Sequence, residues 1–366
     1  VQIPSWWLQL ADPIDVAWDT SWYADFPSTA QLAARYYNGG NNPGAPVDGV
    51  IAIDVTGFEY ILQALERVVV PEYETVVNAN NFRDVIYAIR LEGAQDLEHK
   101  QFVSDVYTRL LDEAQDIGRD QEKTNALLGN LVRAFQEKHI MLYFADETIN
   151  ETLALLQWSG QQTIAPQQDY IMVADANVSA NKIGSSVARS AEYTVVIDRD
   201  GSLESSLSID YDYPEQVAVA DPGFLQNRNQ QFFANLLQIF VPPNARVTQI
   251  DNFEESLSVN QTDDFTVLSS LMRLDLDQRR RLQVEYESAD RIEQFGPYSR
   301  YTLLYQKQPG MRSESIDMQV TLPEGARVVS STPQPFAQYA LDQPVLAFRE
   351  TTDTDMIIEI IYRTDY

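Results

Sequence analysis

The sequence has no cysteine and only two histidines, His99 and His139. Without cysteine the chain cannot form disulfides, thiolate metal sites or cysteine nucleophiles. Most zinc sites need several imidazole or thiolate ligands and a Ser-His-Asp triad needs a placed histidine, so two histidines leave little room for either. The sequence therefore offers few of the side-chain combinations on which known enzymes depend.

Basic residues are also scarce. The chain has 26 lysines and arginines against 54 aspartates and glutamates, which gives a formal net charge of −28. A charge of this sign and size repels the phosphate backbone of nucleic acids and anionic lipid surfaces. We therefore expect no nucleic-acid partner for this acidic chain.

Long apolar segments are also absent from the sequence. The sequence contains no run of about 18 apolar residues, the length at which a segment is read as a membrane-spanning helix. It also begins at Val1 rather than at methionine, which we interpret as a processed or trimmed N-terminus. Any membrane attachment would then depend on a segment absent from this chain.

The pattern of apolar residues changes near residue 190. Before it, helical periodicity alternates with short apolar runs, and after it the alternation typical of strands dominates. The predicted helices are residues 80–90, 95–115, 120–138 and a helix capped by Asp146 that runs to Trp158. The predicted strands are residues 139–144, 170–174, 193–198, 203–211, 232–241, 265–274, 281–287, 301–306, 315–322, 345–349 and 356–362.

This change of pattern predicts an α+β multidomain protein, since 366 residues exceed one typical core. We expect an N-terminal α/β domain at residues 1–188 and an antiparallel β-sandwich module at residues 189–292. Residues 293–366 are either a second β module or a continuation of the same sandwich. The first two strands of the sandwich are joined at Asp200-Gly201, a favourable hairpin turn.

The densest local signals lie in residues 18–67. Ser28 is a candidate N-cap for a helix through Tyr37, and the Gly-, Asn- and Pro-rich residues 38–46 end it. Residues 49–55 are apolar and β-branched, which predicts a strand buried on both faces, as in a parallel sheet.

A second helix is predicted directly after that strand. Thr56 and Glu59 have the spacing of a capping box. Asp54 precedes Thr56, where an aspartate commonly caps a turn. Strand, turn and capped helix together predict an α/β unit.

Several segments resemble the bacterial envelope-associated family catalogued as domain of unknown function 4012. They occur in the family's order: residues 22–27 (WYADFP), 47–54 (VDGVIAID), 138–144 (KHIMLYF), 158–160 (WSG), 169–173, 177–182 (NVSANK) and 305–310 (YQKQPG). The resemblance implies an extracytoplasmic protein of the cell envelope or surface. It also implies a membrane helix ahead of the WYADFP region, which this sequence does not include.

A more distant resemblance is to the LytR-CpsA-Psr phosphotransferases, which attach glycopolymers to cell walls. It is carried by Asn38-Gly-Gly40, residues 48–54, Gly57-Phe58, Arg83 and Arg90. It implies a LytR-CpsA-Psr-like N-terminal domain, in which arginines hold a polyprenyl pyrophosphate and an acidic residue holds Mg²⁺. Arg83, Arg90 and Asp54 are then the candidate catalytic residues, and Asp48 is the candidate metal ligand.

Each of these residues also has a structural interpretation. Arg83 and Arg90 lie two helical turns apart and could clamp a pyrophosphate, or they could pair with Asp84 and Glu92 in solvent. Asp48 and Asp54 could hold a metal at the two ends of a strand, or cap turns. The structural interpretation is favoured for all of them.

The sequence contains three further features that were considered for a functional role. Asn177, Asn181 and Lys182 follow a predicted strand and could bind an anion or sugar, or stabilise a turn. His139 joins a helix end to a strand and is interpreted as structural. The glycosylation sequons begin at Asn150, Asn177 and Asn260.

Two functions remain open. We favour a non-catalytic envelope protein that binds a surface polymer or other envelope proteins and needs no cofactor. The alternative is a LytR-CpsA-Psr-like phosphotransferase that uses Mg²⁺. The Arg/Asp-bearing segment at the start of that enzyme domain has no counterpart in this sequence, which is why catalysis is the second choice.

Overall fold

A computed structural model describes residues 20–40, 42–92, 98–178, 181, 183–221, 231–254, 257–339 and 342–364. Contacts along the chain divide it into two compact units. The first unit is Val1–Gln161 with Pro309–Met311, and the second is Gln162–Gln308 with Arg312–Tyr366. The change of architecture therefore lies at residues 161 and 162, not at the predicted boundary after residue 188.

The first unit contains helices and two small antiparallel sheets. Its helices are α1 (Phe26–Gly39), α2 (Val55–Leu65), α3 (Phe82–Glu92), α4 (Glu98–Asp116), α5 (Gln121–Gln136) and α6 (Glu147–Leu155). Its strands are β1 (Gly49–Ile53), β2 (Val68–Val70), β3 (Thr75–Val77) and β4 (Ile140–Phe144). Phe58 and Leu62 of α2 pack with Phe82 of α3 and with Phe102 and Val106 of α4, which forms a buried apolar core.

Strand β1 differs from the expectation. It pairs antiparallel with β4, from Gly49 opposite Phe144 to Ile53 opposite Ile140. Its positions are only half-buried and Ile51 is 56% exposed. A short apolar run is compatible with either sheet type, and this ambiguity made the prediction of a parallel strand buried on both faces wrong.

Aspartates cap helices α1, α2, α5 and α6 of this unit. The predicted cap Asp146 is confirmed for α6, but α1 is capped by Asp25 rather than by Ser28. The Ser28 amide and hydroxyl both donate to Asp25 Oδ2, at 3.0 and 2.6 Å. Pro27 explains the earlier start, because proline lacks an N–H and is favoured in the first turn of a helix.

Where the structure describes it, the second unit is built from strands and one short α-helix. Its strands are β5 (Asp169–Asn177), β6 (Ala188–Ile197), β7 (Leu203–Tyr213), β8 (Phe232–Val241), β9 (Arg246–Asp251), β10 (Ser258–Gln261), β11 (Thr266–Asp275), β12 (Gln278–Ser288), β13 (Ile292–Phe295), β14 (Tyr298–Tyr305), β15 (Glu314–Thr321), β16 (Ala326–Thr332), β17 (Ala337–Tyr339), β18 (Val345–Thr352) and β19 (Met356–Thr364). The helix is α7 (Glu215–Ala220). The predicted hairpin turn at Asp200-Gly201 joins β6 to β7.

Within the described ranges these strands form an eight-stranded and a seven-stranded sheet. The eight-stranded sheet has the order β10-β11-β8-β5-β14-β19-β16, with β13 paired to β14. The seven-stranded sheet has the order β17-β18-β15-β6-β7-β12-β9. The pairs β5-β14 and β6-β15 are parallel and the other pairs are antiparallel.

One apolar cluster joins the two sheets. Val173 and Leu237 from the eight-stranded sheet share it with Tyr193, Leu207 and Val320 from the seven-stranded sheet. Strands from residues 293–364 therefore lie in the same sheets as strands from residues 189–292. The structure shows a continuation of one sandwich, and a separate second module at residues 293–366 is not observed.

Candidate functional site

The candidate site in the first unit is built around Asp54, where β1 ends and α2 begins. Asp54 Oδ1 accepts the backbone N–H of Gly57 at 2.8 Å, so Asp54, and not Thr56, is the N-cap of α2. Asp54 Oδ2 lies 2.7 Å from His139 Nδ1, and the Asp54 N–H donates to the His139 carbonyl at 3.1 Å. Gly57 permits this approach, because a Cβ there would lie 2.8 Å from the His139 oxygen.

His139 also faces a second carboxylate. Its Nε2 atom is 3.8 Å from Glu137 Oε2, and its side chain is only 3% exposed. The Tyr60 hydroxyl donates to Glu137 Oε2 at 2.5 Å, and Arg133 Nε donates to Glu137 Oε1 at 2.7 Å. The Arg133 guanidinium lies 4.4 Å from the centre of the Tyr60 ring. These five side chains connect α2 to α5 and β4.

Gly310 contributes backbone to the same place. Its N–H donates to the Lys138 carbonyl at 3.0 Å, and a Cβ on Gly310 would lie 3.5 Å from Asp54 Oδ2. The φ angle of +75° favours glycine, since other residues rarely adopt it. Two segments that carry the family resemblance, residues 47–54 and 305–310, therefore meet at the Asp54 carboxylate.

The chemistry open to this arrangement is limited. An aspartate bound to a histidine can orient a general base, but a base needs a reacting group within reach. Here the far nitrogen of His139 faces Glu137, and the imidazole is almost completely covered. The geometry fits a buried connection between elements that the chain separates by 85 residues.

We predict that Asp54→Ala lowers the free energy of unfolding of the first unit by about 2–3 kcal/mol. The variant loses an N-cap, worth about 0.5–2 kcal/mol, and leaves the buried His139 without its partner. Urea unfolding followed by circular dichroism measures the change. Asp120→Ala is the control, because Asp120 caps α5 with an exposed side chain and has only the capping role. Equal losses in the two variants would contradict the His139 contribution.

The other candidates of the first unit do not gather around Asp54 in the contacts that the structure gives. The Arg83 guanidinium lies 5.5 Å from the centre of the Tyr87 ring, one turn along α3. Arg90 belongs to α3, but its side chain lies outside the described residues. Asp48 is exposed, and its backbone carbonyl accepts the N–H of Ala145 at 2.7 Å.

Magnesium, which the LytR-CpsA-Psr resemblance implies, does not fit the residues present. In the part of the chain that the structure describes, no group of three or more His, Cys, Asp or Glu side chains could hold a metal ion. Both Asp54 oxygens already have partners, in the Gly57 amide and the His139 ring. We therefore derive no reaction step through a metal.

The structure brings together two candidate binding residues of the second unit, whose hydrogen bonds stabilise a turn. Asn177 Nδ2 donates to Asn181 Oδ1 at 3.0 Å, and Asn181 Nδ2 donates to the Phe232 carbonyl at 2.7 Å. Asn181 is 1% exposed, which suits a structural role. Lys182 lies outside the described residues.

The three sequons differ in how accessible their acceptor amide is. Asn150 Nδ2 donates to the Phe144 carbonyl and Asn177 Nδ2 donates to Asn181, so both nitrogens are engaged. Asn260 lies on β10, an exposed edge strand. Of these three, Asn260 is the one that the structure leaves open to modification.

A buried ion cluster lies inside the second unit. Arg189 donates from Nε and one terminal nitrogen to the two Glu314 oxygens at 2.6 and 2.9 Å, and from the other to Asp175 at 2.5 Å. The Tyr305 hydroxyl donates to Glu314 and the Tyr211 hydroxyl donates to Asp175, at 2.5 and 2.7 Å. Each charged group thus has charged or hydroxyl partners, and the cluster connects both sheets.

A second buried cluster surrounds Asp169, which has no exposed surface. The hydroxyls of Tyr193 and Tyr301 donate to its Oδ2 at 2.6 and 2.7 Å, from one strand of each sheet. Burial raises the pKa of the Asp169 carboxyl, and the hydrogen bonds from Tyr193 and Tyr301 oppose that rise. Asp169, Arg189 and Glu314 are buried and Asp175 is partly exposed, and we assign both clusters to stability.

The outer surface of the seven-stranded sheet has a different character. Its side chains alternate with core residues such as Tyr193, Val195 and Leu207 and point away from the apolar cluster. We call this surface the polar face. Its members on the central strands are Ser190, Glu192, Thr194, Ser206, Ser208, Asp210, Gln283, Glu285, Ser315, Asp317 and Gln319.

Ion pairs cross part of the polar face. Arg281 of β12 binds Glu192 of β6 and Asp210 of β7. Arg349 of β18 binds Asp317 of β15 through two hydrogen bonds of 2.8 and 3.2 Å. Cross-strand pairs of opposite charge stabilise a sheet and also neutralise the carboxylates locally.

Exposed aromatic rings lie at the β17 edge of the polar face. Tyr339 is 56% exposed and sits opposite Val345, while Phe336 is 62% exposed. The Arg349 guanidinium lies 5.2 Å from the centre of the Phe336 ring. Sequence reasoning missed this surface, although the alternation of Ser, Thr, Glu and Gln with apolar residues in β6, β7 and β15 was a signal for it.

Comparison with known proteins adds a family match for the start of the chain. The family model described as "Protein of unknown function (DUF4012)" matches residues 8–88. This match supports the resemblance to that family, and it includes Asp48, Asp54 and Arg83. No curated protein matches the sequence.

Solved structures give only distant similarity. A Legionella pneumophila protein whose suggested role is nutrient binding shares 7% identity, with coverage of 54% of this chain and 71% of that chain and a TM-score of 0.37. The M1 zinc metallopeptidase of Deinococcus radiodurans shares 12% identity, with coverage of 49% and 42% and a TM-score of 0.30. The Danio rerio Fcho1 Mu homology domain shares 13% identity, with coverage of 49% and 79% and a TM-score of 0.17.

Proposed function

We propose that the protein is an extracytoplasmic component of the cell envelope that binds a surface polymer without catalysing a reaction. The observation that carries this proposal is the polar face of the second unit. Broad β-sheet surfaces that present hydroxyl, amide and paired charged groups beside exposed aromatic rings suit the recognition of hydroxyl-rich polymers.

The first unit supports the non-catalytic part of the proposal. Asp54 is used as a helix cap and as the partner of His139, and Asp48 is exposed on a turn. The Arg83 guanidinium lies over the ring of Tyr87, one turn along α3. The resemblance to the DUF4012 family supports the envelope location, and the acidic charge agrees with a partner that is neither nucleic acid nor anionic lipid.

Membrane attachment is a separate part of this proposal. Among the described residues, none of the helices combines the length and the apolar composition needed to span a bilayer. Other envelope proteins are the second class of partner that we propose.

We predict that the protein cosediments with envelope fragments of the bacterium that encodes it, and that protease added to intact cells degrades it. Protection from protease until the cells are lysed would contradict the location, and an unbound protein in every fragment preparation would contradict polymer binding. Enzymatic removal of the glycan from the fragments distinguishes binding to a polymer from binding to other envelope proteins. Only loss of cosedimentation after this treatment supports a polymer.

The phosphotransferase alternative is tested in the same series. Purified protein is titrated with a polyprenyl pyrophosphate analogue and Mg²⁺, with Arg83→Ala and Arg90→Ala as variants. Absence of binding, or binding that neither substitution changes, is the expected result. Binding that both substitutions abolish would favour the enzyme.

A further inference from the structure

The geometry of the polar face points to one class of ligand, and this inference rests on the proposed function. We propose that the face binds a neutral, extended β-1,4-linked glycan that lies across the strands, with one end stacked on Tyr339. Three features of the face favour this ligand: a row of aligned neutral side chains, carboxylates paired with arginines beside it, and an aromatic edge.

The row follows from strand register. Gln319 of β15 is opposite Thr194 of β6, and Thr194 is opposite Ser206 of β7. We call these three residues the neutral row. Adjacent strands are about 4.8 Å apart, so the row presents one polar group at each such interval across the sheet. This interval is close to the length of one sugar ring in an extended β-1,4 glycan, and successive sugars could meet successive strands.

The side chains of the row are suited to sugar hydroxyls. Within the described residues, the Gln319 amide and the Thr194 hydroxyl make no side-chain hydrogen bond, and both are exposed. Ser206 Oγ accepts from Gln283 at 3.2 Å and retains its own donor. Each group can both donate and accept, which is what a hydroxyl-rich ligand requires.

The neighbouring charges favour a neutral ligand over an ionic one. Asp317 is engaged by Arg349 and Glu192 by Arg281, while Glu285 of β12, which lies opposite Ser206, accepts from the Gln283 amide. An anionic polymer would meet the net charge of −28 of the chain, and a cationic polymer would have to break these pairs. A neutral glycan has neither cost.

The edge of the face supplies a stacking surface. Tyr339 lies opposite Val345 of β18, two residues along that strand from Ala347, which is half-buried and lies opposite Gln319. A tyrosine side chain combines an apolar ring with a polar hydroxyl. Such side chains are favoured where one side of the ligand is apolar and the other side is solvated. The flat face of a sugar ring has this character, so Tyr339 is placed to stack on a sugar two strands beyond Gln319, on a chain that crosses the sheet at a slant.

Calorimetric titration of the purified chain with cellohexaose, chitohexaose and mannohexaose tests the proposal. We expect at least one of the three to bind, and polygalacturonate not to bind. Tyr339→Ala should weaken binding about tenfold, and Tyr339→Phe should retain it within about twofold because the ring remains. The double variant Gln319→Ala, Thr194→Val should weaken binding by a similar factor.

Two control variants in the first unit test whether a loss of glycan binding is specific to the polar face. Tyr107→Ala removes an exposed tyrosine from α4 of the first unit, and Leu155→Ala removes a side chain that is 86% exposed on α6. Both should bind like the unchanged chain. Circular dichroism melting curves establish that each variant is folded before titration.

Three results would overturn the inference. They are no binding of any hexasaccharide, binding that the Tyr339 and row variants leave unchanged, and preferential binding of polygalacturonate. If the protein binds envelope glycan but no hexasaccharide, the proposed function stands and this ligand class fails. If a hexasaccharide binds through Tyr339 while envelope fragments do not retain the protein, the site stands and the proposed function fails.

Discussion

Replacing Arg189 by alanine is expected to lower the free energy of unfolding of the second unit by about 3–5 kcal/mol, because the buried Glu314 carboxylate and the partly buried Asp175 carboxylate lose their cation. Arg189 and Glu314 side chains are each only 3% exposed. The Tyr305 and Tyr211 hydroxyls cannot replace a full positive charge. Since whole domains are stabilised by about 5–15 kcal/mol, this single change removes a large share of the total.

Guanidinium unfolding of the full chain, followed by tyrosine and tryptophan fluorescence, measures this loss. Arg349→Ala is the matched control, because Arg349 binds Asp317 in a similar two-bond geometry on the exposed surface. Exposed pairs contribute about 0–1 kcal/mol, so the control should change stability by no more than that. Equal losses in the two variants would contradict the importance of burial.

A milder variant covers the case in which Arg189→Ala does not fold. Arg189→Lys keeps the charge but cannot bind Glu314 through two parallel N–H groups. It should lie between the unchanged chain and the alanine variant. A lysine variant as stable as the original would show that charge alone matters and that the two-bond geometry does not.

Much of the fold was accessible from the sequence because the strands of the second unit carry a strict alternation. The strand predicted at residues 232–241 is β8, and those predicted at residues 203–211 and 356–362 differ from β7 and β19 only at their C-terminal ends. Burial of one face of each sheet fixes this alternation. The short strands β10, β13 and β17 were missed. Strands β10 and β17 lie at sheet edges, where a strand has fewer buried positions.

The pairing between strands could not be predicted from the sequence in the same way. Sequence order does not reveal that β14 pairs with β5, or β15 with β6, across more than 100 residues. For that reason the sequence left open whether residues 293–366 form their own module. The boundary was misplaced for a related reason, since β5 follows helices in the chain but lies in a sheet of the second unit.

The candidate site was predictable one residue at a time but not as a set. Asp54 was recognised as a cap from its position before Thr56, and His139 as structural from its place between a helix and a strand. Their 2.7 Å contact depends on the antiparallel pairing of β1 and β4, whereas the strand at residues 49–55 was predicted to belong to a parallel sheet. Glu137, Tyr60 and Arg133 gave no sequence signal, because their meeting point exists only in three dimensions.

Buried tyrosines are expected to make the second unit unfold steeply as the pH rises above 10. Burial raises the pKa well above the ordinary value of 10 for five tyrosines: Tyr193, Tyr211, Tyr286, Tyr301 and Tyr305. In the folded protein these tyrosines stay neutral at pH values at which the tyrosines of the unfolded chain have ionised. Their contribution is therefore complete below pH 10 and is lost as the pH rises from 10 toward the folded pKa values.

The size of this effect is set by the number of groups. Each tyrosine that stays neutral in the folded state and ionises in the unfolded state costs up to about 1.4 kcal/mol per pH unit above 10. Five such groups cost up to about 7 kcal/mol per pH unit, which is comparable to the stability of a whole domain. We therefore expect cooperative unfolding within one to two pH units above 10.

Tyrosinate absorbance at 295 nm, recorded together with circular dichroism, measures this transition. The exposed tyrosines should titrate first without loss of structure, and the five buried ones should appear together as the strand signal is lost. Tyr286→Phe is the informative variant, because the Tyr286 hydroxyl lies beside Tyr193 and Ser205 without a hydrogen bond of normal geometry. It should retain stability at neutral pH and reduce the steepness of the alkaline transition by about one fifth. A smooth titration of all tyrosines near pH 10, with the sheets intact, would show that these hydroxyls are accessible to solvent and would contradict the buried clusters around Asp169 and Arg189.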